Sequence, residues 1–198
     1  MTKHQRIIFN GNGYAPEWVA EAKRRGLPNI KSMVEAVDTL TTDKSVKLFE
    51  KFGIFTKAEL ESREEVLYEI YAKTINIEAL TMIDMASKQI IPAVIRYSKS
   101  LADTVIAVRE AGADASVAAD LLKEISDKLA AMKAALSKLK EVETAASAIA
   151  DAKEQAFYYK DAVKKAMDEL RAPVDEAEML VDRQMWPIPT YADLIFEV

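Results

Sequence analysis

Cysteine is absent from the 198 residues and histidine occurs once, at His4. The first absence excludes disulfides, thiol nucleophiles and thiolate metal sites, and with them any sign of an oxidising compartment. Breakers of helix are scarce as well. There are five glycines and six prolines, and after Gly53 only Gly112 and four prolines follow in 145 residues. In a helix interior these residues cost about 1 and 3 kcal/mol against alanine, so little is left to interrupt a helical run. No apolar stretch is long: Ile90-Ile91-Pro92-Ala93-Val94-Ile95 falls far short of the roughly 20 residues that cross a bilayer. The polar and basic start lacks a signal-peptide core, so a cytoplasmic protein without a membrane partner is expected. Positive charge is thin too. The net charge is −5, and a nucleic-acid partner is not expected, because phosphate binding needs a clustered basic face. The one compact basic run, Lys23-Arg24-Arg25, reads as cations offsetting the dipole at a helix end before Gly26.

Half of the residues are hydrophobic, ample for a buried core. The first fifty or so read as short, punctuated elements and hold four of the five glycines. Arg6-Ile7-Ile8-Phe9 suggests a short strand running into the turn Asn10-Gly11-Asn12-Gly13. Pro16 suits the first position of a helix that Gly26 ends, Ser32 suits the cap of a second, and a third runs from near Thr42 to Gly53. Thr56 and Glu59 then have the spacing of a capping box.

From 57 to 111 apolar residues recur at helical spacing, with Pro92 expected to bend or divide the helix. Gly112 marks the turn. Leu122, Ile125, Leu129, Met132, Leu136 and Leu139 step by three and four, a heptad seam. This seam is expected to fade over 141–146 and to resume as Ile149, Ala152, Ala156, Tyr159, Val163, Ala166 and Leu170. Two antiparallel arms of roughly 30 to 40 Å follow, alanines of one letting the axes approach while leucines of the other fill the space. With the preceding long helix against them they complete a three-helix bundle. Pro173 is expected to kink or restart the last helix, with Asp175 and Glu176 at its positive end. The tail Met185-Trp186-Pro187-Ile188-Pro189-Thr190-Tyr191 is expected to lie non-helical across the first subdomain.

The fold expected is therefore mainly α: an antiparallel three-helix bundle with a long heptad-like hairpin, preceded by a small mixed, mostly helical subdomain. Chemistry is harder to find. A di-iron bundle needs inward carboxylates with Glu-x-x-His pairs, and His4 lies outside the bundle without a nucleophile or orienting partner. The Asn10–Gly13 turn lacks both a following Gly-Lys-Ser/Thr and a GxGxxG pattern, so it reads as a structural turn rather than a phosphate cradle. Glu64-Glu65 and Glu141 with Glu143 read as solvated faces, and Tyr68 with Tyr71 and Phe157-Tyr158-Tyr159 as packing at a bundle end. No catalytic, cofactor-binding or metal residue is assigned.

Four blocks carry a resemblance. His4-Gln5-Arg6-Ile7-Ile8-Phe9-Asn10-Gly11-Asn12-Gly13-Tyr14 with Glu17-Trp18-Val19 resembles the opening of the C-terminal region of type III glutamine synthetases. Lys47-Leu48-Phe49-Glu50-Lys51-Phe52-Gly53-Ile54-Phe55-Thr56, Lys73-Thr74-Ile75-Asn76-Ile77-Glu78-Ala79-Leu80-Thr81-Met82 and Trp186-Pro187-Ile188-Pro189-Thr190-Tyr191-Ala192-Asp193-Leu194 are similar to that family in the same order. Within 108–165 only the helical pattern is shared.

The resemblance implies a parent ligase that joins glutamate and ammonia with ATP and divalent metal such as Mg, through a γ-glutamyl phosphate, in stacked hexameric rings. It implies that residues 1–56 close the catalytic domain and that 57–198 form an added helical bundle ending in the Pro/aromatic tail. The family's metal-binding glutamates and phosphate-binding arginines lie ahead of the Asn-Gly-Asn-Gly-Tyr block, so none is carried over onto this chain. The expectation is a fragment or truncated gene acting as a non-catalytic brace and subunit-contact element, whose partners are the upstream catalytic domain and further copies in a homo-oligomer. A free-standing helical interaction module is the alternative.

Overall fold

The computed structural model describes residues 2–189 and 191–196. It is helical, with no strand among the described residues. A short 3-10 segment, Thr2–Ile7, is followed by α1 (Pro16–Arg24), α2 (Met33–Val37), α3 (Asp43–Lys51) and the long α4 (Lys57–Met85). A π turn at Ala86–Ile90 leads into α5 (Ile91–Glu110), and α6 spans Ser116–Ser147. Next come α7 (Ala152–Tyr158), a second π turn at Tyr159–Val163, α8 (Lys164–Glu178) and α9 (Tyr191–Phe196). The chain divides within α4 into two compact units, Met1–Glu64 and Glu65–Val198. No helix of the described residues is long and apolar enough to cross a membrane.

The strand expected at Arg6–Phe9 is not formed. An isolated extended segment leaves its backbone donors and acceptors unpaired, and no second strand occurs among the described residues to pair with it. The 3-10 segment satisfies them locally, Ile8 N–H donating to the Gln5 carbonyl at 3.1 Å.

Helix boundaries follow local chemistry. Ser32 and Thr42 cap α2 and α3, each accepting an N–H three residues on. At Thr56 and Glu59 the capping box closes in both directions: the Glu59 N–H donates to the Thr56 hydroxyl at 3.3 Å, and the Thr56 N–H donates to the Glu59 carboxylate at 2.7 Å. The Thr56 N–H, and then its hydroxyl at 2.8 Å, both donating to that carboxylate, hold the Glu59 carboxyl below its ordinary pKa. Gly26, Gly53 and Gly112 end their helices at φ of +70°, +62° and +77°. After each, the next residue donates back five positions, as from Leu27 to the Ala22 carbonyl at 2.9 Å. That is the left-handed stop glycine allows at least strain.

In the second unit three helical rods share one core. Ala72, Ile75, Ala79 and Ala86 meet Leu136, Leu139, Val142 and Ala146 of α6, and Tyr159, Val163, Ala166 and Leu170 of the final rod. A second cluster joins Ile90, Val94, Ile125, Met132, Ala177, Val181 and Trp186. The alanines on these seams are buried, which lets large side chains opposite fill the interaxial space.

Three expectations are corrected here, and that for Pro92 is made specific. The α6 seam does not fade over 141–146, because Val142 and Ala146 continue it three and seven residues after Leu139, and both are buried. At about 1.5 Å per residue α6 is roughly 48 Å long. The helix expected over 57–111 divides just ahead of Pro92, which occupies the first turn of α5, directly after the π turn that separates it from α4. There the Ile91 N–H donates to the Ala86 carbonyl, one residue further back than in an α-helix. Widening the ladder just ahead of the ring accommodates the proline's missing donor. Pro173 lies inside α8 and does not restart a helix; Asp175 and Glu176 are paired with Arg171 and Lys128 instead of heading a new one. Finally, Trp186 is buried in the bundle's own cluster. Helix resumes at Tyr191, two residues past Pro189, since proline restricts only its own surroundings. Thr190 of the expected tail lies outside the described residues.

Candidate functional site

His4 is exposed, at a non-helical position in the 3-10 segment. The Asn10–Gly13 turn is built around its neighbours. Asn12 Oδ1 accepts the Tyr14 N–H at 3.0 Å and its carbonyl accepts the Ala15 N–H at 3.2 Å, so two amides that could face an anion are already engaged. Phe9 folds over Gly11 so closely that an added Cβ would sit 2.6 Å from its ring, which is why glycine stands there. The Phe9 ring stacks on Trp18 with centroids 4.3 Å apart. Above them lies the Arg25 guanidinium, 5.6 Å from the Trp18 ring centre and 6.0 Å from that of Phe9. Arg25 Nη1 also donates to the Ile8 carbonyl at 2.7 Å.

Glu21 completes this clamp by accepting from both Arg24 and Arg25. The spacing of three and four residues on α1 was the sequence signal for it, hidden behind the reading of the basic run as dipole compensation. The hydrogen bonds from Arg24, then Arg25, lower the Glu21 carboxyl from 4.5 to about 2. A depressed folded-state pKa means the contribution is whole above about 4.5 and is lost as pH falls toward 2. A carboxyl-detected NMR titration should place the Glu21 midpoint near 2, and Glu21→Gln should remove the acid-sensitive part of α1 ordering between those values. A midpoint near 4.5 in the intact chain would mean the clamp does not form.

The clamp fixes an apolar rim. Ile7, Ile8 and Val19 are exposed and Tyr14 is fully so. Among the described residues of the first unit, only Ala22, Val34, Val37, Val46 and Leu60 are buried apolar side chains. Nine large apolar ones remain exposed, Leu48, Phe52 and Ile54 among them. A chain of this size that buries so little is marginal by itself.

The other sequence candidates stand apart from one another. Glu64 accepts from Thr41, Glu141 pairs with Lys138 and Glu143 accepts from Ser147, so these carboxylates serve local contacts. Tyr68 is buried with its ring centre 6.4 Å from that of Phe157. No group of three or more metal-ligating side chains occurs among the described residues. A cleft of about 390 Å³ opens where Met82, Ile90, Val174 and Ile188 approach, with the Arg171–Asp175 pair at its edge. Its walls are apolar and hold no nucleophile beside a base. Three buried polar atoms, Asn76 Oδ1, Ser87 Oγ and Trp186 Nε1, have no partner among the described residues.

Comparison with known proteins adds what geometry alone does not. The family model described as the glutamine synthetase C-terminal domain matches residues 1–109. The chain is 40% identical over 197 residues to a glutamine synthetase of Butyrivibrio fibrisolvens, covering 98% of this chain and 28% of that protein. It is 31% identical over 202 residues to the type-3 glutamine synthetase of Dictyostelium discoideum, covering 99% and 28%. A Bacteroides fragilis glutamine synthetase is 33% identical over 196 residues, covering 96% and 27%. The chain thus spans little more than a quarter of the length of these curated relatives.

Proposed function

The chain belongs to the glutamine synthetase C-terminal domain family, and we propose that it is the non-catalytic C-terminal part of a type III enzyme, bracing the catalytic domain and contributing to subunit contacts in a homo-oligomer. In this reading residues 1–56 close the catalytic domain and 57–198 form the bundle added to it. The observation that carries it is the first unit's imbalance between five buried apolar side chains and nine exposed large ones among the described residues. Such a surface, held rigid by the Phe9–Trp18–Arg25–Glu21 clamp, suits docking against a larger core.

The chemistry of the parent reaction points the same way. Joining glutamate to ammonia through a γ-glutamyl phosphate needs carboxylates that hold hard divalent cations, such as Mg, and cations that neutralise the phosphoryl group transferred from ATP. Many of the carboxylates here are engaged with lysines and arginines of their own helices, as in Glu69–Lys73, Lys99–Asp103 and Lys123–Asp127. The reaction therefore belongs to the longer part that the relatives possess.

The test is a chimera in which this chain replaces the matching stretch of the Butyrivibrio protein. With ATP, magnesium, glutamate and ammonium, the chain alone should form no glutamine and the chimera should form it. Ile8→Asp in the chimera should weaken assembly and activity together, at a position exposed in the isolated chain. Turnover by the chain alone, or an equally active and assembled enzyme lacking this stretch, would overturn the proposal.

A further inference from the structure

Helix α4 is apolar on two opposite sides. At 100° per residue, Tyr68, Ala72, Ile75 and Ala79 fall within an arc of about 60°, and all four are buried. Val66, Ile70, Ile77 and Leu80 fall within an arc of about 80° almost opposite, and they are 51%, 49%, 67% and 47% exposed. A helix that closes one side of a bundle ordinarily presents polar residues outward. The hairpin obeys that rule: along α6 the one large apolar side chain exposed among the described residues is Val117, in its first turn. Among the three rods the departure falls on that of α4 and α5, where Ile95 and Ile106 are exposed as well; outside them Met179, just past α8, and Leu194, Ile195 and Phe196 of α9 are also exposed.

Part of the charge along this outer stripe is cancelled locally. Glu69 pairs with Lys73 at 2.6 Å, and Asp84 pairs with Lys88. The stripe itself is apolar, with Glu65 and Glu78 adding negative charge beside it, which suits an apolar occupant and disfavours an acidic one. Its size identifies the occupant further. Four half-exposed aliphatic side chains offer roughly 400 Å², whereas a stable complex between separate proteins needs about 800 Å² from each partner. A segment tethered in the same polypeptide needs far less, because its effective concentration is in the millimolar range. Relatives of this chain are between three and four times its length, since it covers 27–28% of them. The family match ends at residue 109, so it includes all but the last residue of this rod and stops short of the hairpin.

We propose that the outer stripe of α4, Val66-Ile70-Ile77-Leu80, is the seat of an apolar segment from the catalytic part of the same polypeptide, a second docking face besides the rim at Ile8. The inference rests on the reading of the chain as a glutamine synthetase brace and adds the surface through which the bundle itself is held.

The absence of cysteine makes the test direct. Ile77→Cys introduces the one thiol of this chain, and its rate of modification by a soluble maleimide is read by peptide mass spectrometry. In the chain alone it should react as fast as the control Ser137→Cys, which stands on the exposed face of α6. In the chimera Ile77→Cys should slow at least tenfold at every protein concentration, with Ser137→Cys unchanged. Equal rates for Ile77→Cys in both contexts overturn the proposal, as does a thiol already slow in the chain alone. Slowing that appears only as concentration rises assigns the stripe to a second copy and also overturns it. Ile8→Cys separates the two levels: slowed in the chimera while Ile77→Cys stays fast, it keeps the brace and removes the second face.

Discussion

Ile75→Glu should abolish cooperative unfolding of the bundle, while Ile77→Glu, two residues away on the same helix, should leave the chain folded with a nearly unchanged melting temperature. Ile75 is 6% exposed and sits in the cluster that joins all three rods. An ionised carboxylate there loses its hydration among the apolar side chains of that cluster and removes an apolar side chain from the core. The desolvation penalty is several kcal/mol per ion even after relaxation, and lost burial of the isoleucine adds about 2 to 3 kcal/mol. Against a total stability of about 5 to 15 kcal/mol for a domain, the sum exceeds what the bundle can lose. Ile77 is 67% exposed, so its glutamate remains in water. Circular dichroism at 222 nm during heating checks both variants. Equal destabilisation of the two would mean that α4 does not present the faces assigned to it, and the docking argument for its outer stripe would lose its basis.

Much of the fold was legible because its punctuation is local chemistry. Gly26, Gly53 and Gly112 each stop a helix where the sequence placed the stop, since a residue at positive φ is cheap only for glycine. Thr56 and Glu59 form the expected box because both partners lie within one turn. Where the sequence misled, a tertiary condition decided. Arg6-Ile7-Ile8-Phe9 has strand-like composition, yet a strand needs a neighbour and none is supplied. Val142 was overlooked in the α6 seam because a polar and alanine-rich stretch surrounds it, and only the facing rods show that its position is inward.

The two π turns are a different kind of miss. Pro92 announces a disturbed ladder, but not that one extra residue inserted at Ala86–Ile90 absorbs it. At Tyr159–Val163 no proline is present, and nothing in the spacing of three and four distinguishes a widened turn from a regular one. The candidate docking faces were half legible. The exposed rim at Ile7 and Ile8 follows from a short apolar run with little around it to bury it, whereas Trp186, expected at the same surface, is buried in the bundle. Exposure along α4 could not be read from a periodic pattern, since its apolar residues occupy both faces and the pattern does not say which is covered.

Tyr159→Ala should lower the melting temperature of the bundle by about 10 to 15 °C, from a loss of about 3 to 5 kcal/mol. Tyr159 heads the largest fully buried side chains and opens the second π turn. Its ring lies in the cluster with Leu139, Val142 and Ala146, and its hydroxyl stands 3.4 Å from Ser147 Oγ near the α6–α7 turn. Truncation leaves a cavity bounded by three rods, and the π turn limits how far the final rod can move in to fill it. Tyr159→Phe separates the two contributions. It keeps the ring and removes the long hydroxyl contact, so its loss should be no more than about 1 kcal/mol. If the phenylalanine variant falls as far as the alanine one, the hydroxyl rather than the ring holds the rods together. The hairpin would then be fastened by a polar contact at its tip instead of by the packing that makes it a stiff arm of the brace.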